Sequence, residues 1–308
     1  MSRASWVRLC LLAGIWGCSF LFIKVALEGL SPPQVVLGRM LSGALVLLAV
    51  IAVRRQRFPT ALKAWGHLAV FTVIANIVPF LLFAWGEQRI SSSRAGVLNA
   101  TTPLCTLVFA MALLPEERPT ANKIAGLVVG FVGVVVLVAP WAEHGGANAS
   151  DLGGQLACIG AAAAYGIAFV YSRRFVSVLD LPAGVLAAGQ LTVGTVMLLL
   201  MTPFVAADPV HLTARVVLSV LALGGLGTGI AYLIFHRLVR DAGATSTSMV
   251  TYLIPVTAVI LGVVVLGESV SWNLFAGAAI IIAGVALAEG RLQPKRSADR
   301  RATMLRRT

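Results

Sequence analysis

A succession of apolar runs limits what this chain can fold into more than any other feature. Each is about 20 residues long, enough to cross a ~30 Å hydrocarbon core as a helix. Ten are read, at approximately 7–29, 33–53, 65–86, 92–114, 120–140, 152–172, 182–203, 215–237, 243–266 and 270–289. Proline-bearing breaks separate several of them: Ser31-Pro32-Pro33, Pro115 to Pro119, Pro140, Leu181-Pro182 and Pro203. The connections are short, and no soluble domain is inserted. Only 12% of the residues are charged, about half the share of a soluble domain, and mean hydropathy is +0.91. The expected fold class is an all-α polytopic membrane protein of ten transmembrane helices. The start of the chain, basic at Arg3 and Arg8 and then apolar, has the outline of a secretory signal. It is read instead as a retained span, because the same segment recurs later in the chain. The four cysteines (Cys10, Cys18, Cys105 and Cys158) lie inside apolar runs and read as small buried hydrophobes.

A net charge of +12 invites a nucleic-acid reading, but its placement argues otherwise. With the N-terminus inside, the inner segments hold Arg3, Arg8, Arg54, Arg55, Arg57, Lys63, Arg118, Lys123, Arg173, Arg174, Arg237 and Arg240. They also hold seven basic residues between Arg291 and Arg307. The opposite loops hold only Arg89, Arg94 and Arg215, and "PWAEHGGANASDLGG" holds none. The positive-inside rule therefore expects both termini in the cytoplasm and the chain in the plasma (bacterial inner) membrane. The basic tail is expected to lie against anionic lipid. Membrane lipids, not nucleic acid, are the expected partners of this charge.

The two halves of the chain match at a nearly constant offset. Trp16-Gly17 answers Tyr165-Gly166 and Pro33 answers Pro182, both 149 residues on. Pro103 meets Pro255 and Glu116 meets Glu268 at an offset of 152. Asn122, Gly126 and Gly133 meet Asn273, Gly277 and Gly284 at 151. Each copy holds five spans, an odd number, so the second enters the membrane from the other side. Such inverted repeats recur in secondary transporters, where they supply inward-open and outward-open arrangements of one scaffold. The expected domains are a first five-helix repeat over 1–145, an inverted second repeat over 150–290, and a basic cytoplasmic tail over 291–308, around a central cavity.

The WG…K span, the proline–glutamate–glycine pattern of spans 4–5 and 9–10, and the duplicated order of ten spans resemble the EamA-type members of the drug/metabolite transporter superfamily. The resemblance covers roughly residues 5–290. It implies a bundle whose central cavity is lined mainly by spans 1, 3, 4, 6, 8 and 9, with spans 5 and 10 at the periphery. It also implies movement of small metabolites, amino acids among them, mostly outward. It leaves the substrate open.

Trp16 and Tyr165 occupy matched mid-span positions, which the resemblance turns toward the cavity. Aromatic walls suit amphipathic solutes; the plainer role is packing beside Gly17 and Gly166. Asn99 and Thr251 each precede a proline, Pro103 or Pro255, by four residues. Proline removes the hydrogen bond to that carbonyl, freeing it near mid-membrane as a binding ledge. Thr101 and Thr102 add hydroxyls to it. Asn76, Tyr232 and Thr228, the last within a glycine cluster at 224–229, mark spans 3 and 8. Glu116 and Glu268 close spans 4 and 9 and are read as caps of the following span and pins between repeats. The glycines of spans 5 and 10 form a small-residue stripe for packing between them, and leave a homodimer open.

Two basic residues lie within spans. Lys24, matched to Arg173, reads as an interfacial anchor or gate paired with Glu28, four residues on. Arg39 has only Ala188 as counterpart and is expected to meet a carboxylate on the substrate. All twelve acids sit near span ends or in loops or tail, so no central carboxylate relay is expected, although Glu87 remains a candidate for coupling. No P-loop, zinc-protease or nucleophile-elbow motif occurs, so neither catalytic residues, metal ligands nor cofactors are expected, and the chain is not read as an enzyme. The expected function is secondary transport exporting small amphipathic metabolites such as amino acids. The alternative is efflux of drugs or cationic compounds.

Overall fold

A computed structural model describes residues 2–139, 149–205 and 208–290. Residues 140–148, 206–207 and 291–308, the last with the basic residues from Arg291 to Arg307, lie outside the described residues. Within them all regular structure is helical. Eight segments are long and apolar enough to cross a membrane: α1 Arg3–Ala26, α2 Pro32–Val53, α3 Leu62–Glu87, α4 Ser92–Leu113, α5 Ala121–Val138, α6 Asp151–Leu179, α7 Ala183–Pro203 and α8 Ala214–Ala242. Two shorter apolar helices follow, α9 Val250–Leu266 and α10 Trp272–Ala288. These ten segments fall where the apolar runs predict them.

Polar caps start the helices where the apolar pattern begins. The side chains of Ser2, Ser91, Thr120 and Thr213 each accept from the amide three residues on, at the starts of α1, α4, α5 and α8. At α2 the Ser31 amide donates to Gln34 Oε1 at 2.9 Å. Successive helices run in opposite directions. One end of the bundle, the near end, carries the start of α1 and the end of α10. The far end carries the α1–α2, α3–α4, α7–α8 and α9–α10 turns.

Four helices are not regular: α6 ends in a π-helical turn, Ser172–Val176, and a 3-10 turn, Ser177–Leu179, and the departures in α3, α4 and α8 have local causes. Pro79 lacks an N–H and crowds the carbonyl four residues back. The preceding turn, Val73–Ile77, widens to a π-helix around Asn76. Pro103 does more: α4 stops at Asn99, turns through Ala100 and Thr101, and resumes at Thr102. In α8 the π-helical stretch Ala222–Ile230 coincides with the glycine cluster. Pro255, by contrast, sits inside a continuous α9.

The helices pack in identifiable pairs: α1 on α9, α4 on α6, α2 on α7 and α8, α3 on α6 and α7, α4 on α9, and α5 on α10. The α5–α10 seam is built from the glycine stripe. A Cβ on Gly284 would run into the backbone of Gly130 and Gly126, and one on Gly277 into Leu137. The opposite faces of this pair expose Val128, Phe131, Val132, Val135 and Phe275, the surface hydrocarbon accepts.

Gly284→Ala should therefore destabilise the protein by about 1–3 kcal/mol, the cost of overpacking. Gly66→Ala, where a Cβ meets nothing, should stabilise by about 0.5–1 kcal/mol through helix propensity. Thermal denaturation in one detergent checks the opposite signs.

Candidate functional site

Three polar or aromatic groupings run through the bundle from near end to far end. The first is a cleft of about 600 Å³, within the range of small-molecule sites. Trp16, Tyr165, Thr102, Pro103 and Thr251 line it, and Glu117, Lys123 and Glu289 lie at its near-end rim. Trp16 faces Phe235 with ring centroids 5.6 Å apart. Behind Tyr165 an aromatic ladder continues through Phe83, at 6.2 Å, to Phe20, a further 5.5 Å away. The matched Trp-Gly and Tyr-Gly pairs divide the two roles expected of them. The rings face the cleft, while a Cβ on Gly17 would meet Thr257 of α9 and one on Gly166 the backbone of Cys105 and Thr106 of α4. Aromatic wall and close helix contact belong to neighbouring residues.

The second grouping is a buried polar layer between α2, α3 and α8. Arg39 Nε donates to Thr228 Oγ1 at 3.0 Å, and its guanidinium lies over Phe80, 3.6 Å from the ring centroid. Thr228 donates in turn to the Leu223 carbonyl of the π-helical stretch, at 3.3 Å. Asn76 Nδ2 donates to the Tyr232 hydroxyl at 3.1 Å. Asn76 and Thr228 are fully buried and Arg39 is 8% exposed. These four expected cavity residues thus meet one another and do not line the cleft. The widened backbones of α3 and α8 are what aim Asn76 and Thr228 inward. Asn99 is half-buried at the α4 break, where the Thr102 hydroxyl donates to its Oδ1 at 3.4 Å.

The third grouping lies at the far end. Glu268 accepts from Ser92 N at 2.7 Å, Ser93 N at 2.9 Å and Ser93 Oγ at 2.5 Å. Its carboxylate occupies the N-terminus of α4, where free amides and the helix dipole favour negative charge. Burial pushes this carboxyl up, but the bonds from Ser93 and Ser92 outweigh it and leave it below the ordinary carboxylate range. Lys24 Nζ donates to the carbonyls of Glu87, at 2.5 Å, and Ile90, at 2.9 Å. Glu28 pairs with Arg215 at 3.3 Å, and His211 N donates to the Gly29 carbonyl at 2.9 Å.

Two expectations are corrected by these partners. Glu268 caps α4, not the following α10, because the turn after α9 folds back over Ser92. Lys24 does not pair with Glu28, which reaches outward to Arg215. It satisfies two carbonyls left over at the end of α3. At the near end Glu116 is exposed, and its neighbour Glu117 makes the bonds, to Lys123 and Arg173, each at 2.9 Å. Lys123 and then Arg173 hold the Glu117 carboxyl below its usual range. Sequence reasoning placed Glu87 at a span end, where it is. It gave no sign that this side chain is fully buried.

The chain matches the model of the EamA-like transporter family twice, over residues 4–139 and 152–289. It is 27% identical over 273 residues to an uncharacterized transporter of Bacillus subtilis, YoaV, covering 88% of this chain and 91% of that one. It is 25% identical over 277 residues to the uncharacterized inner membrane transporter YedA of Escherichia coli K12, covering 89% and 86%. A crystal structure with 23% sequence identity matches 94% of this chain and 99% of its own with a TM-score of 0.66, which establishes the fold.

Glu268 generates a pH prediction. A carboxyl held below its unfolded value contributes stability that is present above that value, about 4.3, and lost as pH falls through the folded one. Glu268→Gln should lower the thermal midpoint at neutral pH. The gap to the native protein should close as the medium is acidified below about pH 4.

Proposed function

The chain belongs to the EamA-like transporter family, and on that premise we propose that it exports small amphipathic solutes of the amino-acid type by alternating access. It is a multi-pass membrane transporter, and its relatives are transporters, not enzymes. The observation that carries the finer reading is the cleft. It is large enough for a small metabolite, walled by Trp16 and Tyr165 and edged by the hydroxyls of Thr102 and Thr251. Its rim carries charges of both signs, Lys123 paired with Glu117 and also Glu289, which suits a solute that itself carries both. A lipophilic cation would instead favour a carboxylate deep in the cleft, and the lining acids Glu117 and Glu289 are both at the rim.

The packing supports two inverted repeats, 1–145 and 150–290. Exchanging α1–α5 with α6–α10 turns the α1–α9 contact into α6–α4 and the α2–α8 contact into α7–α3, and both counterparts occur. What breaks the exchange is the matched glutamates: Glu268 clamps the α4 start, while Glu116 is exposed. We read this asymmetry as one half of a cycle, with the far end shut and the near end open. Both termini then face the cytoplasm, in keeping with the positive loops on that side, and this is the state that loads substrate for export.

Proteoliposomes loaded with labelled amino acids and related metabolites test the reading. Protein-dependent flux is expected for at least one zwitterionic solute. Trp16→Ala and Tyr165→Ala should each lower it about two- to tenfold, the worth of an aromatic contact. No protein-dependent flux across a broad panel of such solutes would overturn the proposal.

A further inference from the structure

We propose that Glu87 is a proton-binding site whose occupancy is linked to closure of the far end, an inference that rests on the alternating-access reading above. Among the described residues Glu87 is the one buried carboxyl group, with none of its surface exposed. Neither of its carboxyl oxygens has a hydrogen-bond partner. The bonds of Lys24 make this arrangement informative. The Lys24 ammonium donates to the backbone carbonyl of the same residue and to that of Ile90, and makes no ion pair with the carboxyl group. A buried ionised carboxylate with an ammonium in reach takes a charge-assisted bond from it, because leaving the charge unpaired costs several kcal/mol. An ammonium spent on two neutral carbonyls is the geometry of a neutral carboxyl group.

The surroundings offer no competing partner. Lys24 from α1, Arg39 from α2, Cys158 from α6 and Glu268 from the α9–α10 turn are the charged or titratable groups within electrostatic reach. Arg39 is held by Thr228 and Phe80. Glu268 is held by Ser92 and Ser93. The preceding residue seals the site: a Cβ on Gly86 would press on Cys158 Sγ and the Gly154 carbonyl of α6. Glu87 therefore sits dry where α1, α3 and α6 meet, one residue group inside the closed end.

Opening that end must part Lys24 from the Glu87 and Ile90 carbonyls. Water then reaches the carboxyl group, which releases its proton to the far-side solution and becomes free to pair with Lys24. The closed state binds one proton more than the open state, so acid favours closure and alkali favours opening. The proton is thus a ligand of the conformational cycle.

The test needs no transport substrate. Infrared spectra of the purified protein in lipid should contain the carbonyl band of a protonated carboxylic acid at neutral pH. The band should fade as pH rises. In a variant with the four native cysteines replaced by Ala, Ile90→Cys should react with a hydrophilic maleimide about tenfold faster over the same rise. Glu87→Gln should lack the band and remain slow to label at every pH. Glu87→Asp should retain a titrating band, which covers the case in which the Gln variant does not fold. The proposal is overturned if no band depends on residue 87, or if labelling in Glu87→Gln still follows pH. Absence of flux in the vesicle panel would leave these readouts untouched, and their failure would leave the export reading untouched.

Discussion

Hydrocarbon offers no hydrogen bond, and every feature of this bundle follows from having to satisfy polar groups without water. Helices solve the problem for most of the backbone. What remains are helix ends, proline-freed carbonyls and a few side chains, and the structure puts them to use. Lys24 is taken up by the carbonyls that end α3, and Glu268 by the amides that begin α4. Arg39, Thr228, Asn76 and Tyr232 form a layer in which each has a partner from another helix. The result is a bundle with polar links at both ends, Arg8 to Asp241 and Arg173 to Glu117 at the near end and the Lys24 and Glu268 bonds at the far end, and a polar layer between them.

That distribution matters for movement. Contacts made by glycine backbones, as between α5 and α10, are extensive and apolar, and nothing in them needs to change during a cycle. The far-end contacts differ. They are a few charge-assisted bonds onto helix termini, strong when dry and replaceable by water once parted. A protein that must open at one end benefits from closing it with bonds of this kind. The π-helical turns of α3, α6 and α8 and the break of α4 are irregular backbone through which such opening can be absorbed.

The sequence was most legible where physics is local. Ten apolar segments, their proline and serine boundaries, and the glycine seam follow from composition and spacing alone. The matched aromatic pair was also legible, because Trp16-Gly17 and Tyr165-Gly166 recur at one offset; the structure added that ring and glycine have different tasks. Long-range partners were not legible. Glu28 lies one helical turn from Lys24, so local spacing favoured that pair, but the α7–α8 connection brings Arg215 to Glu28 and the end of α3 to Lys24. Glu268 was read as capping its own next helix because nothing in the sequence says that α9 ends above Ser92. Glu87 reads as an ordinary loop-edge acid until the helices around it are in place.

The central claim is that this arrangement is one state of a cycle, closed at the far end by the Glu268 clamp. Distances between spin labels placed across each end in lipid measure it most directly, comparing the native protein with Glu268→Gln. The account predicts a short far-end and long near-end distance in the native protein. Both should shift toward the reverse when the clamp is weakened. Far-end and near-end distances that are the same in both proteins would contradict it.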